Sequence, residues 1–189
     1  GDTIYTLGDV IHNPLEVERL RTRGVQSIEA LDEVPAGGTL VIRAHGVRPD
    51  LIDEARRRGI HILDATCPFV QLSQRYVKRF AEESVPVIII GDREHPEVQG
   101  IAGHAGESAI VVKDPREADL MKPLDRAGVV IQTTFSRSEA EEIIAALAGR
   151  VRDLRVRDTI CQATEARGEA MLAVARDEDD VFAGDGVVL

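Results

Sequence analysis

Short apolar runs rich in β-branched residues alternate along the chain with stretches whose apolar positions recur at helical spacing. The runs are TLVIRA at 39–44, HILDA at 61–65, VPVIIIG at 85–91, AIVV at 109–112, GVVIQ at 128–132 and, more weakly, LRVRD at 154–158. The opening residues are strand-like as well. Apolar character on both sides of a run is the mark of a parallel strand covered by helices on each face. Between the runs lie PLEVERLRTRG, PDLIDEARRRG, PFVQLSQRYVKRFAEE, SRSEAEEIIAALAG and CQATEARGEAMLAVARD. Several begin near proline and end at glycine, the punctuation expected of helix starts and stops. The order predicts an α/β fold of repeated small parallel sheets with flanking helices and right-handed crossovers. Three lobes are expected, over residues 1–67, 68–157 and 158–189, the third begun but not finished. The turn at Pro68, or the EESVP stretch after the long helix, is the expected seam between the first two. The acidic run at 177–180 reads as a solvated helix end.

Composition narrows what such a fold can be doing. In 189 residues, 23 Lys+Arg against 33 Asp+Glu give a formal charge of −10. A surface this acidic argues against binding nucleic acid through its backbone. Aromatics are only 3% and Trp is absent, so no base-stacking platform is expected and the core must be aliphatic. Two cysteines make neither a disulfide scaffold nor a self-contained four-cysteine metal site. No apolar stretch is long enough to span a membrane and no secretory leader is evident, which predicts a soluble cytoplasmic protein.

The reactive residues fall where the strands end. His45 follows the run at 39–44, Thr66 and Cys67 follow HILDA, and His95 and Glu97 follow VPVIIIG. Thr133, Thr134 and Ser136 follow GVVIQ, Thr159, Cys161 and Thr164 follow LRVRD, and His12 and Asn13 follow the first strand. Ligands of open parallel sheets bind at the carboxyl ends of the strands, where helix N-termini favour phosphate. Any one of His12, His45 or His95 alone would serve as a turn cap, but three of the chain's five histidines recur in equivalent turns. His61 and His104 lack that setting and read as structural. Ser136, three residues before Glu139, reads as a helix cap, which leaves Thr133 as the better ligand candidate. DATC and DTIC echo one another, and each aspartate is expected to cap its turn. The two thiols sit where a helix N-terminus favours thiolate, as a nucleophile or soft metal ligand needs, with buried inert thiols as the plain alternative. A metal site would have to be assembled between lobes from Cys67, Cys161 and histidines. Glu97, in a dry pocket beside a diphosphate, would be suited to donating a proton.

Taken together, YTLGDVIHNP, VIRAHGV, ILDATCPFV, IIIGDREHPEVQG, VIQTTFS and DTICQAT resemble, in order, the signatures of the 4-hydroxy-3-methylbut-2-enyl diphosphate reductases, the IspH or LytB family. The resemblance runs to about Gly184. It implies three α/β lobes around a central iron–sulfur cluster held by three cysteines, with Cys67 matching the middle ligand and Cys161 the last. His12, His45 and His95 match the diphosphate-binding and hydroxyl-side histidines, Glu97 the proton relay, and Thr133 the threonine beside the substrate oxygen; the resemblance makes Glu97, His95 and Thr133 the catalytic set. The implied reaction is a two-electron reductive dehydroxylation of an allylic diphosphate to isopentenyl and dimethylallyl diphosphate, fed by a ferredoxin or flavodoxin. The family's first cluster cysteine lies upstream of YTLG, its SSN segment lies beyond VFAGDGVVL, and Gly168 stands where a glutamine is expected. A 4Fe-4S cluster, a 3Fe-4S cluster and no cluster remain open at this point. Two further readings stay open: a shortened cluster-free relative that binds or senses a diphosphate, and a zinc enzyme on the same lobes.

Overall fold

The computed structural model of the chain describes residues 3–11, 13–106 and 109–182, with side chains to 174. Two four-stranded parallel sheets carry it. The first has the order β2-β1-β3-β4, from β1 (Ile4–Leu7), β2 (Val25–Ile28), β3 (Thr39–Ile42) and β4 (His61–Asp64). The second has the order β6-β5-β7-β8, from β5 (Val87–Ile90), β6 (Ala109–Val112), β7 (Leu124–Ile131) and β8 (Val151–Arg157). Numbered from its own first strand, each sheet runs second, first, third, fourth. The connecting helices are α1 (Pro14–Arg21), α2 (Pro49–Arg57), α3 (Pro68–Glu82), α4 (Pro96–Gly103), α5 (Pro115–Leu120) and α6 (Arg137–Ala148). Each of the first five opens on proline, whose fixed φ and missing N–H suit the first turn. After β8 comes α7 (Gln162–Phe182), which passes through the acidic run at 177–180; residues 183–189 lie outside the described residues.

The all-apolar β5 shows why its run has no polar face. Ile88 and Ile90 enter one core cluster with Ala118, Ala140, Ile143 and Leu147, on the side of α5 and α6. Val87 and Ile89 enter another with Val70, Val77, Phe80, Val98 and Ile101, on the side of α3 and α4. Successive side chains of a strand point to opposite faces, so helices on both sides require both sets to be apolar. The first sheet is built around Ile28, Leu40, Ile42, Ala55 and Ile60.

What positions the site is the seam between the sheets. Helix α4 belongs to the second sheet, but its glycines face the first. A Cβ on Gly100 would lie 3.5 Å from the backbone of His45, Gly46 and Val47, and one on Gly103 would come within 2.9–3.0 Å of the Arg48 side chain. The absence of side chains at Gly100 and Gly103 therefore lets the turn after β3 rest directly against the helix that follows β5. No helix among the described residues is long and apolar enough to cross a membrane.

Candidate active site

The turn after β5 is fixed before it presents anything. Asp92 Oδ1 accepts from the Glu94 amide at 3.0 Å, and the His95 amide donates to the Asp92 carbonyl at 3.0 Å. The buried Gln132, at the end of β7, accepts from the Asp92 amide at 3.0 Å and donates to Thr134 Oγ1 at 3.0 Å, tying this turn to the neighbouring one. His95 caps α4: its Nδ1 accepts from the Glu97 amide at 3.2 Å. An imidazole that accepts at Nδ1 carries its hydrogen on Nε2 when neutral, so the ring offers a donor on its far side.

Glu97 follows in the first turn of α4 and is only 2% exposed. A buried carboxyl must be satisfied, and here both oxygens are served by one residue. Thr133 donates its amide to Oε1 at 2.6 Å and its hydroxyl to Oε2 at 2.8 Å. This fork joins the carboxyl edges of β5 and β7, adjacent strands of the second sheet. Thr133 is itself buried. Ser136, three residues on, caps α6 by accepting from the Glu139 amide at 3.4 Å, a structural role.

The two cysteine turns share a construction. Asp64 Oδ1 accepts from the amide two residues on, Thr66, at 2.9 Å, and Asp158 Oδ1 does the same with Ile160 at 3.2 Å. Each turn delivers a half-buried free thiol to a helix start, Cys67 at the N-cap of α3 and Cys161 just before α7. Burial pushes the Cys161 thiol up, but hydrogen bonds from the Thr164 and Ala163 amides and the Thr164 hydroxyl, with the charge of Arg167, bring it below its ordinary value. The chain thus favours thiolate at this position.

These pieces form one connected line across the seam. The Cys67 amide donates to the Ala44 carbonyl at 3.0 Å, beside His45. The His45 ring meets His95 edge to face, with centroids 5.3 Å apart. His95 caps the amide of Glu97, Glu97 grips Thr133, and the Thr133 carbonyl accepts from the Cys161 amide at 2.8 Å. Of the candidates named from sequence, Cys67, His45, His95, Glu97, Thr133 and Cys161 are brought together; His12 lies outside the described residues. Asn13 caps α1, accepting from Leu15 and Glu16 amides. His61 is exposed at the start of β4, and His104 follows α4, where burial and the nearby Lys78 hold its imidazole below its usual value.

Three contributors were not singled out from sequence: Gln132, Arg137 and the specific use of Thr159. The buried Thr159 hydroxyl donates to the Ile131 carbonyl at 2.5 Å and receives the Ile131 amide at 2.8 Å, stitching the end of β7 to the Cys161 turn. Thr159→Val keeps the shape but strands both backbone groups. It is expected to cost about 1–3 kcal/mol, read as the urea midpoint of unfolding at unchanged slope.

Comparison with known proteins places the chain in a family. The family model described as LytB protein matches residues 1–183. The chain belongs to the LytB family. Among its relatives, the 4-hydroxy-3-methylbut-2-enyl diphosphate reductase of Citrifermentans bemidjiense is 40% identical over 169 residues, 89% of this chain and 60% of that protein. The enzyme of the same name from Thermoanaerobacter sp. strain X514 is 38% identical over 184 residues, 96% of this chain and 64% of its own. A solved (E)-4-hydroxy-3-methyl-but-2-enyl diphosphate reductase, described as the terminal enzyme of the non-mevalonate pathway, superposes with a TM-score of 0.79 at 35% identity, over 93% of this chain and 63% of that one. The E-1-hydroxy-2-methyl-but-2-enyl-4-diphosphate reductase of Plasmodium falciparum gives a TM-score of 0.87 at 29% identity, over 93% and 57%. This LytB-family chain therefore spans about three fifths of the length of the curated relatives it matches.

Proposed function

We propose that this chain is the substrate- and thiolate-bearing part of a 4-hydroxy-3-methylbut-2-enyl diphosphate reductase. The observation that carries the reading is the Glu97–Thr133 fork, a buried carboxyl and hydroxyl held between two histidines on one side and Cys161 on the other. In the net reaction two electrons and two protons enter and the allylic C–O bond breaks. One proton leaves with the hydroxyl as water, and the other ends on carbon.

His45 and His95 are assigned to the substrate's polar end, with the Nε2 hydrogen of His95 available as a donor. His12 is assigned there by its motif alone. Glu97 takes up a proton at Oε2 and passes it through Thr133 Oγ1 toward the departing oxygen. Because both groups are buried, the proton reaches the departing oxygen along a defined route through Glu97 and Thr133. The relay sits at the start of a helix and among strand ends, where backbone N–H groups favour an anionic substrate.

An iron–sulfur cluster is the cofactor this reading implies, and the chemistry of the donors fits it. Cys67 and Cys161 are unpaired, half-buried and placed at helix starts, and Cys161 is biased toward thiolate. Among the described residues no three His, Cys, Asp or Glu side chains form a metal-binding group. When bound, the cluster supplies the electrons, received from a carrier of ferredoxin or flavodoxin type. The lobes are assigned to residues 1–67, 68–157 and 158–189. The Glu97–Thr133 fork and the reductase relatives favour this reading over a cluster-free diphosphate-binding protein or a zinc enzyme.

Protein prepared without oxygen is expected to contain iron and acid-labile sulfide in near-equal amounts, absorb broadly in the visible, and consume the hydroxylated diphosphate when given a low-potential reductant. Diphosphate binding without iron, sulfide or turnover would replace the enzyme with a binding protein. Stoichiometric zinc without sulfide would replace it with a zinc enzyme.

A further inference from the structure

Arg137 is the first residue of α6, four positions after Thr133. Its guanidinium reaches out of that helix to the segment that carries Cys161. Nη1 donates to Asp158 Oδ2 at 3.0 Å, Nη2 donates to Glu165 Oε2 at 3.1 Å, and Nε donates to Glu165 Oε1. Asp158 lies three residues before Cys161, and its other oxygen closes the turn by accepting from Ile160. Glu165 lies four residues after, and its amide, like that of Thr164, donates to the Cys161 carbonyl. One planar cation therefore holds both flanks of the thiol-bearing turn. Its fork matches a carboxylate in a way a lysine ammonium cannot.

We propose that Arg137 is a positioning residue for Cys161, clamping the turn from Asp158 to Glu165 against the start of α6. The inference deepens the reductase reading only in its consequence; the clamp itself stands on the chain's own contacts. Both ion pairs are solvent-exposed, at 41% for Arg137 against 55% and 28% for its partners, so their contribution to global stability is small. What they fix is local. Cys161 is bonded through its amide to the Thr133 carbonyl, so movement of its turn is transmitted to the residue that Glu97 grips. The two carboxylates keep the guanidinium protonated throughout the working range.

The test compares wild type, Arg137→Ala, Arg137→Lys and Arg58→Ala on the full chain purified without oxygen. Arg58 bridges two carboxylates, Asp32 and Glu54, away from the thiol, and so controls for loss of a comparable ion-pair network. Iodoacetamide alkylation of Cys161 is followed by peptide mass spectrometry across pH, and the high-pH plateau rate is taken, where the thiol is fully ionised in every variant. Releasing two exposed ion pairs is expected to raise the Arg137→Ala plateau about fivefold. Arg137→Lys is expected to fall in between, and Arg58→Ala to match wild type. Melting temperatures are expected to stay within about 4 °C of wild type. In protein reconstituted with iron and sulfide, Arg137→Ala is expected to retain less than half the wild-type cluster absorption. An unchanged plateau in Arg137→Ala, or an equal rise in Arg58→Ala, overturns the clamp. If the wild type itself takes up no iron and sulfide, the reductase reading fails while the alkylation result still decides the clamp.

Discussion

In the proposed reductase reaction, Glu97→Gln is expected to lower turnover of the hydroxylated diphosphate by about 10²–10⁴-fold, the usual range for losing a positioned general acid, with the fold intact. The substitution is nearly isosteric. The carboxamide oxygen can still accept the Thr133 amide, and the carboxamide nitrogen can donate to Thr133 Oγ1, which reverses the sense of that hydrogen bond without emptying it. What disappears is a group able to exchange a proton at Oε2. Substrate affinity, read by calorimetry, should therefore stay close to wild type while turnover collapses. Turnover within a few-fold of wild type would remove Glu97 from the relay. Glu97→Ala is a poorer probe, because it leaves a buried Thr133 amide with no acceptor and mixes a folding penalty with the chemical one.

The second large effect is on folding, and it comes from one hydrogen atom's worth of space. Gly128 lies in β7, where the second sheet passes under α3, and a Cβ there would sit 2.4–2.5 Å from three atoms of the Phe80 ring. Phe80 is 4% exposed and is packed among Val77, Val87, Val98 and Val130, so the ring has no free direction to turn. Gly128→Ala is expected to destabilise the protein by about 2–3 kcal/mol through overpacking. By calorimetry that corresponds to a fall of about 5–10 °C in melting temperature for a chain of this size. Pairing it with Phe80→Leu should return part of the loss, since the smaller side chain vacates the ring's position; a double variant no better than the single one would mean the strain lies in the β7 backbone instead.

Why some of this could be read from the chain and some could not follows from where the information resides. A strand buried on both faces, such as β5, has to be apolar throughout, so its run stands out. The edge strand β2, VQSI, keeps two exposed polar residues in four and leaves no such signature. Helix α4, PEVQGIAG, was missed for a related reason. Glycine is a poor helix former, and its value at positions 100 and 103 exists only because another turn lies against it. The placement of reactive residues at strand ends was legible, since it depends on the local order of strand and helix. Their pairings were not: Glu97 meets Thr133 across 36 positions, and the arginine that reaches Asp158 and Glu165 looks in sequence like any other charge on a helix surface.

The shared strand order of the two sheets has a consequence for how such a centre can change over time. Each sheet places its thiol after its last strand, β4 or β8, behind the same aspartate-capped turn. The two sheets are built as like cassettes, and in the proposed reductase each contributes one thiol to the cluster. Local clamps fix where each thiol sits on its own cassette, whereas the spacing between the two sulfurs also depends on how the whole cassettes dock. A side chain added at Gly100 or Gly103 in the seam of α4, far from either cysteine in sequence, would therefore push one cassette against the other and be felt at both thiols at once.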